Sequence, residues 1–507
     1  MKKIILFFGI LFLSIIAFIN LLANAHMNLD ENVTITINSP LYFIGLIVLG
    51  AIILALTYIV QKVLYKDEDS KKLKRIRKIL FGVSLSLYIA FNIIWVIVVN
   101  PAVTGDSIHV ANLAQTFYRG NPDEFLPNMT YIGIPLVEYI QAYPQQISLA
   151  FIYSLFFRLI HFDTLEILRV LNIIGNILIV IALYKISNQL SKKYKTNKVL
   201  LLTLILTFIS LPMLSTFIYG DIPSLALCLF AVYFMMRYTE TKKIKYVIFA
   251  ILCTMIAYMM RMNILIFIIA TVIYLLLNLF KNIKQKEWKE RIINIIVIIV
   301  YVIFSMLPAE IVQNYYLNKY NLDKEKRYPS ISYFLMGMTE GGRQNGWYNE
   351  EIAEPALKNP EMAKNEYGEK IKERLKYMAG NVGYAFRFYT MKIASMWAEN
   401  TYSAIRSNKE GEDKPIEKMQ APLEFYQKVL VIIIALCALI VILQNIKDLS
   451  LDVIFLITIF IGGFAFHFLW EAKSRYIIPY LVVLMPVASI YIKNLKIKEK
   501  IEKIRKK

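Results

Sequence analysis

The apolar residues of this chain gather in long uninterrupted runs instead of alternating with polar ones. They occupy 4–22, 42–61, 79–100, 147–161, 166–184, 199–218, 222–236, 246–260, 262–280, 292–307, 427–445, 451–469 and 476–492. Crossing a bilayer as a helix takes roughly 20 such residues, and a soluble core has no use for so many runs of that kind. The pattern predicts an all-α polytopic membrane protein of about 12 to 14 transmembrane helices. The first run, Ile4–Leu22, resembles a signal sequence, and Ala23-Asn24-Ala25 after it is of the small-residue kind that signal peptidase cleaves. Because spans recur throughout the chain, an uncleaved first helix is expected.

The loops between the runs carry the charge. Basic segments at 62–78, 185–198, 237–245, 281–291 and from Lys493 onward predict cytoplasmic loops. The polar islands 101–146 and 308–421 then fall on the opposite face. An odd number of spans cannot bring the N-terminal lysines and the basic tail to one side. The inconsistency lies between 101 and 198. Either one apolar segment there is re-entrant or lies on the surface, or its basic loop faces outward. Met129–Tyr143 reads as a helix lying along the membrane surface. Five regions follow: N-terminal helices 1–100, a first catalytic loop 101–146, a transmembrane core 147–307, a partly helical cap 308–421, and terminal helices with a basic tail 422–507.

Composition changes this picture little. The formal charge is +20 and 57% of residues are hydrophobic, with a mean hydropathy of +0.52. The lysines sit in short loops between spans, so they read as contacts with anionic membrane lipids and not with nucleic acid. Three Cys and four His without paired spacing support neither a disulfide framework nor a zinc or haem site. No Gly-rich turn follows a strand, which disfavours a cytoplasmic nucleotide-sugar donor.

The islands hold the candidate chemistry. Asp106 and His109, three residues apart, would share a helix face. Asp106 is either a helix cap or a base that deprotonates an acceptor. Asp221, in Tyr219-Gly220-Asp221-Ile222-Pro223, repeats the arrangement, with Pro223 suited to a first helical turn. Arg169 and Arg261 lie in or beside apolar runs, where an ionisable group is costly and marks function by default; guanidinium suits a lipid phosphate. His467, Glu471 and Arg475 recur at every fourth position, so a continuous helix would align them as one polar stripe. The plain alternative is an external loop with a Glu471–Arg475 ion pair. Lys473 and Arg475 could neutralise a phosphate leaving group, with Glu471 fixing an arginine or a sugar hydroxyl.

Taken in order, Gly105-Asp106, Tyr143-Pro144, Arg169-Val170-Leu171-Asn172, Tyr219-Gly220-Asp221, Arg261 and Glu471-x-x-x-Arg475-Tyr476-x-x-Pro479 resemble the GT-C membrane glycosyltransferases. The likeness is to a bacterial family 39-like group related to protein O-mannosyltransferases and to aminoarabinose transferases of lipid A. The resemblance implies a multi-pass protein of the bacterial cell membrane with its active site facing outside. A polyprenyl-phosphate sugar would be the donor and a cell-envelope glycan or lipid the acceptor, with inversion at the anomeric carbon. Asp106 and Asp221 would be the catalytic acids. Arg261, Lys473, Arg475 and Arg169 would bind the donor phosphate, supported by His109, His467, Glu471 and Tyr476. Some relatives use a divalent metal; here no carboxylate cluster compels one, and the cofactor is left open. Two additional spans before Asp106 and a cap without tandem sugar-binding domains depart from the eukaryotic protein transferases and disfavour a protein acceptor. The competing class is a lipid-linked glycan flippase, transporter or polymerase. Such a protein would bury its charges at mid-membrane in broken helices and show related halves.

Overall fold

In the computed structural model, residues 1–67, 70–103, 105–120, 130–131, 134–281, 288–409 and 415–491 are described. Asp123, Met129, most of segment 281–291 and the tail from Lys493 lie outside them. Helix α1 (Lys2–Leu22) leads into a β-hairpin, β1 (Ala23–Met27) against β2 (Val33–Ile37), and then α2 (Pro40–Leu64) and α3 (Lys71–Val99). Ser39 caps α2, accepting from the Tyr42 amide, with Pro40 in the first turn where its missing N–H costs nothing. Next come α4 (Asp106–Arg119), the short pair β3 (Thr130–Tyr131) and β4 (Ile134–Pro135), α5 (Leu136–Ala142) and α6 (Gln145–Ile160). The core continues through α7 (Leu165–Leu190), α8 (Lys198–Leu206), α9 (Ser210–Met213), α10 (Asp221–Thr241), α11 (Lys245–Met260), α12 (Leu265–Phe280) and α13 (Trp288–Lys319). The cap holds α14 (Ser330–Gly337), α15 (Glu350–Lys358), α16 (Pro360–Gly380), α17 (Val382–Trp397) and α18 (Ala404–Ser407). The chain returns in α19 (Gln420–Gln444) and α20 (Leu451–Leu469), then the short α21 (Ile478–Val482) and α22 (Met485–Ala488). Ten described helical segments are long and apolar enough to cross a membrane, and the protein is a multi-pass membrane protein.

Contacts between loops sort the helix ends into two groups. Lys2 Nζ donates to the Lys447 carbonyl at 3.3 Å, Lys193 Nζ to the Asp448 carbonyl at 2.6 Å, and Lys242 pairs with Glu290 at 3.2 Å. Gln61 reaches the Thr196 carbonyl, and Ile490 bridges to Thr196. These residues share one end of the bundle, the basic end. At the other end Arg169, near the start of α7, holds Asn100 and the Pro101 carbonyl, and Asn172 donates to the Ser215 and Phe217 carbonyls. Arg119 at the end of α4 meets Asp163 just after α6 at 2.8 Å.

This placement resolves the inconsistency between 101 and 198. Run 147–161 is not a crossing. Both ends of α6 stand at the end opposite the basic loops, where α6 packs beside α4 over a shared core of Val110, Leu113, Phe117, Leu149, Tyr153 and Phe157. The physical reason is that a 16-residue apolar helix finds an amphipathic partner in α4 and buries its surface there instead of in lipid. Among the described residues, the ten long segments together with α11 and the broken final segment 474–490 run between the two ends, an even set that returns the chain to the basic end.

Other boundaries differ as well. Run 199–218 is interrupted, α8 giving way to α9 and a 3-10 turn at Leu214–Thr216. Helix α13 continues through Pro308 to Lys319, beyond the expected start of the cap. Among the described residues of the expected surface helix at Met129–Tyr143, Leu136–Ala142 is helical. The last run, 476–492, descends as short pieces, with the Tyr480 ring filling the space over Gly463, where an added Cβ would lie 2.2 Å from it.

Candidate active site

Asp106 and Asp221 each open a helix, and in both cases a glycine with positive φ stands in the cap position, Gly105 at 61° and Gly220 at 78°. A glycine adopts that conformation without a Cβ clash, so each carboxylate is turned to a partner on another element. The Tyr219 hydroxyl donates to Asp106 Oδ2 at 2.9 Å and accepts from Gln146 Nε2 at 2.6 Å. Asp221 Oδ1 lies 3.1 Å from Arg261 Nε, and its Oδ2 lies 3.5 Å from Arg475 Nε. The Arg261 guanidinium stands 4.5 Å over the Tyr219 ring and 6.0 Å from the Tyr476 ring. Arg475 lies 3.9 Å over Phe217 and 5.9 Å from Tyr476. Tyr219 therefore touches both poles: its hydroxyl holds one carboxylate and its ring underlies a cation held by the other.

The final island breaks helical continuity. α20 stops at Leu469, Trp470 is extended, and a 3-10 turn begins at Ser474, so His467, Glu471 and Arg475 do not form a stripe on one helix. The Lys392 ammonium fixes this break, donating to the carbonyls of Gly337 (2.6 Å), Phe468 (3.0 Å) and Trp470 (2.8 Å). Three carbonyls that leave a helix end without partners are thereby satisfied. Gly337 passes so close that a Cβ there would sit 2.2 Å from the Leu469 carbonyl oxygen, which accounts for a glycine at that point of the Gly-rich segment.

Matched against solved and curated proteins, residues 145–308 fit the family described as dolichyl-phosphate-mannose-protein mannosyltransferase. That match covers about a third of the chain and is a likeness to the GT-C membrane glycosyltransferases. No curated protein sequence matches the chain. Among solved structures, the archaeal oligosaccharyltransferase AglB from Archaeoglobus fulgidus, in complex with an inhibitory peptide and a dolichol-phosphate, is 12% identical. Its TM-score is 0.43, over 85% of this chain and 51% of that one. The apo Archaeoglobus fulgidus oligosaccharyltransferase is 14% identical at TM-score 0.43, over 84% and 51%. The chain spans about half the length of these structures.

The expected site residues divide. Asp106, Asp221, Arg261, Arg475 and Tyr476 come together. Arg475 pairs with Asp221, and no Glu471–Arg475 pair forms among the described residues. Arg169, expected at the donor phosphate, instead ties down Asn100 and Pro101 ahead of Asp106. Lys473 turns away from Asp221 and pairs with Glu31 at 2.6 Å. His109 stacks on Tyr139 at 4.2 Å, and His467 packs beside Tyr476 at 5.6 Å. Glu471 is buried among Lys473, Glu31, Arg343 and Asp106; burial pushes its carboxyl up to about 7. Among the described residues no group of three or more His, Cys, Asp or Glu could hold a metal ion.

Four contributors escaped the sequence reading. Gln146 and Lys392 carry no local signal. Glu31 lies in the polar gap between the first two spans, and Arg406 in the cap. Such a gap between spans, holding Asp30-Glu31, was the one available pointer to Glu31.

Proposed function

We propose that the protein transfers a sugar from a polyprenyl-phosphate donor to a cell-envelope glycan or lipid, with inversion at the anomeric carbon. The observation that carries this reading is the Tyr219 bridge. It joins an anionic pole at Asp106 to a cationic pole at Arg261 and Arg475 through a single side chain. Asp106 accepts the proton of the incoming acceptor hydroxyl or amine as that atom attacks the anomeric carbon. The bond to the phosphate oxygen breaks on the opposite face, and the departing phosphate gains charge where Arg261 and Arg475 supply planar, bidentate donors. Asp221 holds both guanidiniums in place and is a positioning residue in this scheme. Glu471, Tyr476, His109 and His467 shape the walls, and the cap bounds the acceptor side. The basic loops gather at the far end of the bundle, which by the positive-inside rule is cytoplasmic, so the site opens outward, in a bacterium at the outer face of the plasma membrane.

The test uses purified protein in lipid vesicles with radiolabelled undecaprenyl-phosphate sugars. Release of polyprenyl phosphate and transfer to added membrane glycan are compared for wild type, Asp106→Asn and Arg475→Ala. Turnover by wild type and its loss in both variants, each retaining the wild-type melting profile, is expected. Movement of lipid-linked sugar across the vesicle without turnover would replace the transferase with a flippase.

A further inference from the structure

Glu31 sits at the tip of the hairpin between α1 and α2, with φ at 70° and almost no exposed surface. A non-glycine residue in the left-handed region is uncommon, and here it aims a carboxylate into a knot of cations drawn from distant parts of the chain. Lys473 Nζ lies 2.6 Å from Oε1, Arg406 3.1 Å from Oε1, and Arg343 binds Oε2. Although burial raises a carboxyl, these three cations prevail and hold Glu31 down at about 2. The remaining acidic neighbours of Arg343 are Glu350, 3.9 Å away and 70% exposed, and the buried Glu471, which also lies within electrostatic reach of Lys473; Asp30 lies within electrostatic reach of Arg406. Arg406 and Lys473 both also feel Arg475. Three cations against the two buried carboxyls of Glu31 and Glu471 leave net positive charge in a place where desolvated charge is costly. Guanidinium groups with five donors each are not used up by one carboxylate. The cationic side chains retain access to solvent, 38% for Arg406 and 25% for Arg343, while Glu31 retains 2%. The carboxylate is more deeply buried than the cations; the Arg343 guanidinium also stands 5.0 Å over the Tyr348 ring, and the Arg406 Nε is buried without a hydrogen-bond partner.

We infer that the Glu31, Arg343, Arg406 and Lys473 cluster is a second anion subsite, distinct from the Asp221, Arg261 and Arg475 set, that takes a phosphoryl or carboxylate group. Glu31 spaces its cations as Asp221 spaces Arg261 and Arg475. The two subsites are joined by Lys473 and Arg475, two residues apart. The anion has two sources of the same chemistry: a second phosphate bridging both subsites, which requires a diphosphate donor in place of the monophosphate proposed above, or an acidic group of the acceptor. The assignment of source rests on the transferase reading; the existence of the subsite does not.

The experiment is calorimetric titration of the full-length protein in nanodiscs with inorganic phosphate and, separately, inorganic pyrophosphate. Wild type is expected to bind two phosphates per chain. Arg406→Gln and Arg343→Gln, which open the cluster from different elements, each lose one phosphate, and Arg261→Gln loses the other. One phosphate or none in wild type, or two in both cluster variants, overturns the inference. Two cluster variants guard against one failing to fold, and melting curves identify a chain that has. Pyrophosphate binding one per chain and at least tenfold tighter than phosphate assigns the subsite to a diphosphate donor. Pyrophosphate binding no tighter than phosphate assigns it to an acidic acceptor group. Absence of sugar transfer with two phosphates bound would refute the transferase and leave the subsite standing.

Discussion

Asp221→Asn removes one negative charge from between two arginines and leaves the shape of the site unchanged. In the wild type the Arg261 side chain is 12% exposed and that of Arg475 7%, with Asp221 at 3.1 and 3.5 Å. Removing one partner of a buried ion pair costs about 3–5 kcal/mol because the remaining charge stays buried. Asp221 is 20% exposed, so water reaches it and the lower value, about 3 kcal/mol, applies. An unfolding entropy of about 2.1 cal/mol/K per residue over 507 residues gives about 1 kcal/mol per degree, hence a fall in melting temperature of about 3 °C. The decisive assay is a double-mutant cycle with Arg261→Gln, read by thermal unfolding in one detergent. Once Asp221 is neutral, removing the Arg261 charge relieves strain instead of adding it. The double variant should therefore be more stable than the sum of the singles by at least about 1 kcal/mol. Additivity within about 0.3 kcal/mol would refute the idea that Asp221 holds Arg261 electrostatically.

Glu471 supplies a pH dependence. With its carboxyl at about 7 in the fold and the ordinary value of 4.5 unfolded, the folded state keeps a proton that the unfolded chain releases between those values. Stability therefore falls as pH rises through that window and is flat above it, by roughly 3 kcal/mol in all; Glu471→Gln should remove this slope from melting curves, and an unchanged slope would refute the assignment. The placement of α6 is testable by cysteine labelling: in a background without native cysteines, Phe162→Cys should react with an impermeant maleimide on the same membrane face as Asn32→Cys in the first hairpin, which the two spans α2 and α3 separate from the α4–α6 region. Labelling of Phe162→Cys and Asn32→Cys on opposite faces would restore α6 as a span, and Ser191→Cys, beyond α7, should label on the face opposite Phe162→Cys as a control.

The bundle was legible because a bilayer imposes a composition as well as a length, and a window of apolar residues reports both. Segment 147–161 shows where that signal fails. Its apolarity is that of a span, and only the apolar face of α4, a neighbour across the island, reveals that it has another place to be buried. The final island shows a different failure. The spacing of His467, Glu471 and Arg475 implied one helical stripe, and the structure breaks the helix between them. Period-four spacing aligns side chains only on an unbroken helix, and Lys392, arriving from the cap, holds the break at Leu469. Asp106 and Asp221 were visible as acidic helix starts, but the partner that decides the role of Asp106 is Tyr219, 113 residues away. Hydrogen bonds of that separation leave no local trace.

The hairpin carries this argument furthest. The first two membrane helices read as an addition to a catalytic core that begins near Asp106, and an addition could be peripheral. Instead, α1 packs against α19 and α20, with Asn20 donating to the Trp397 carbonyl at 2.9 Å. Gln344 Nε2 donates to the Val33 carbonyl at 2.9 Å, and Glu31 then enters a cluster built from the Gly-rich segment, the cap and the final island. Deleting the hairpin would thus take the Glu31 carboxylate from three cations, two of them close to Arg475, one of the arginines proposed to bind phosphate, while leaving Asp106 and Tyr219 intact. A contribution made by charge predicts that Glu31→Gln reproduces the effect of deletion on anion binding; a contribution made by packing predicts that it does not.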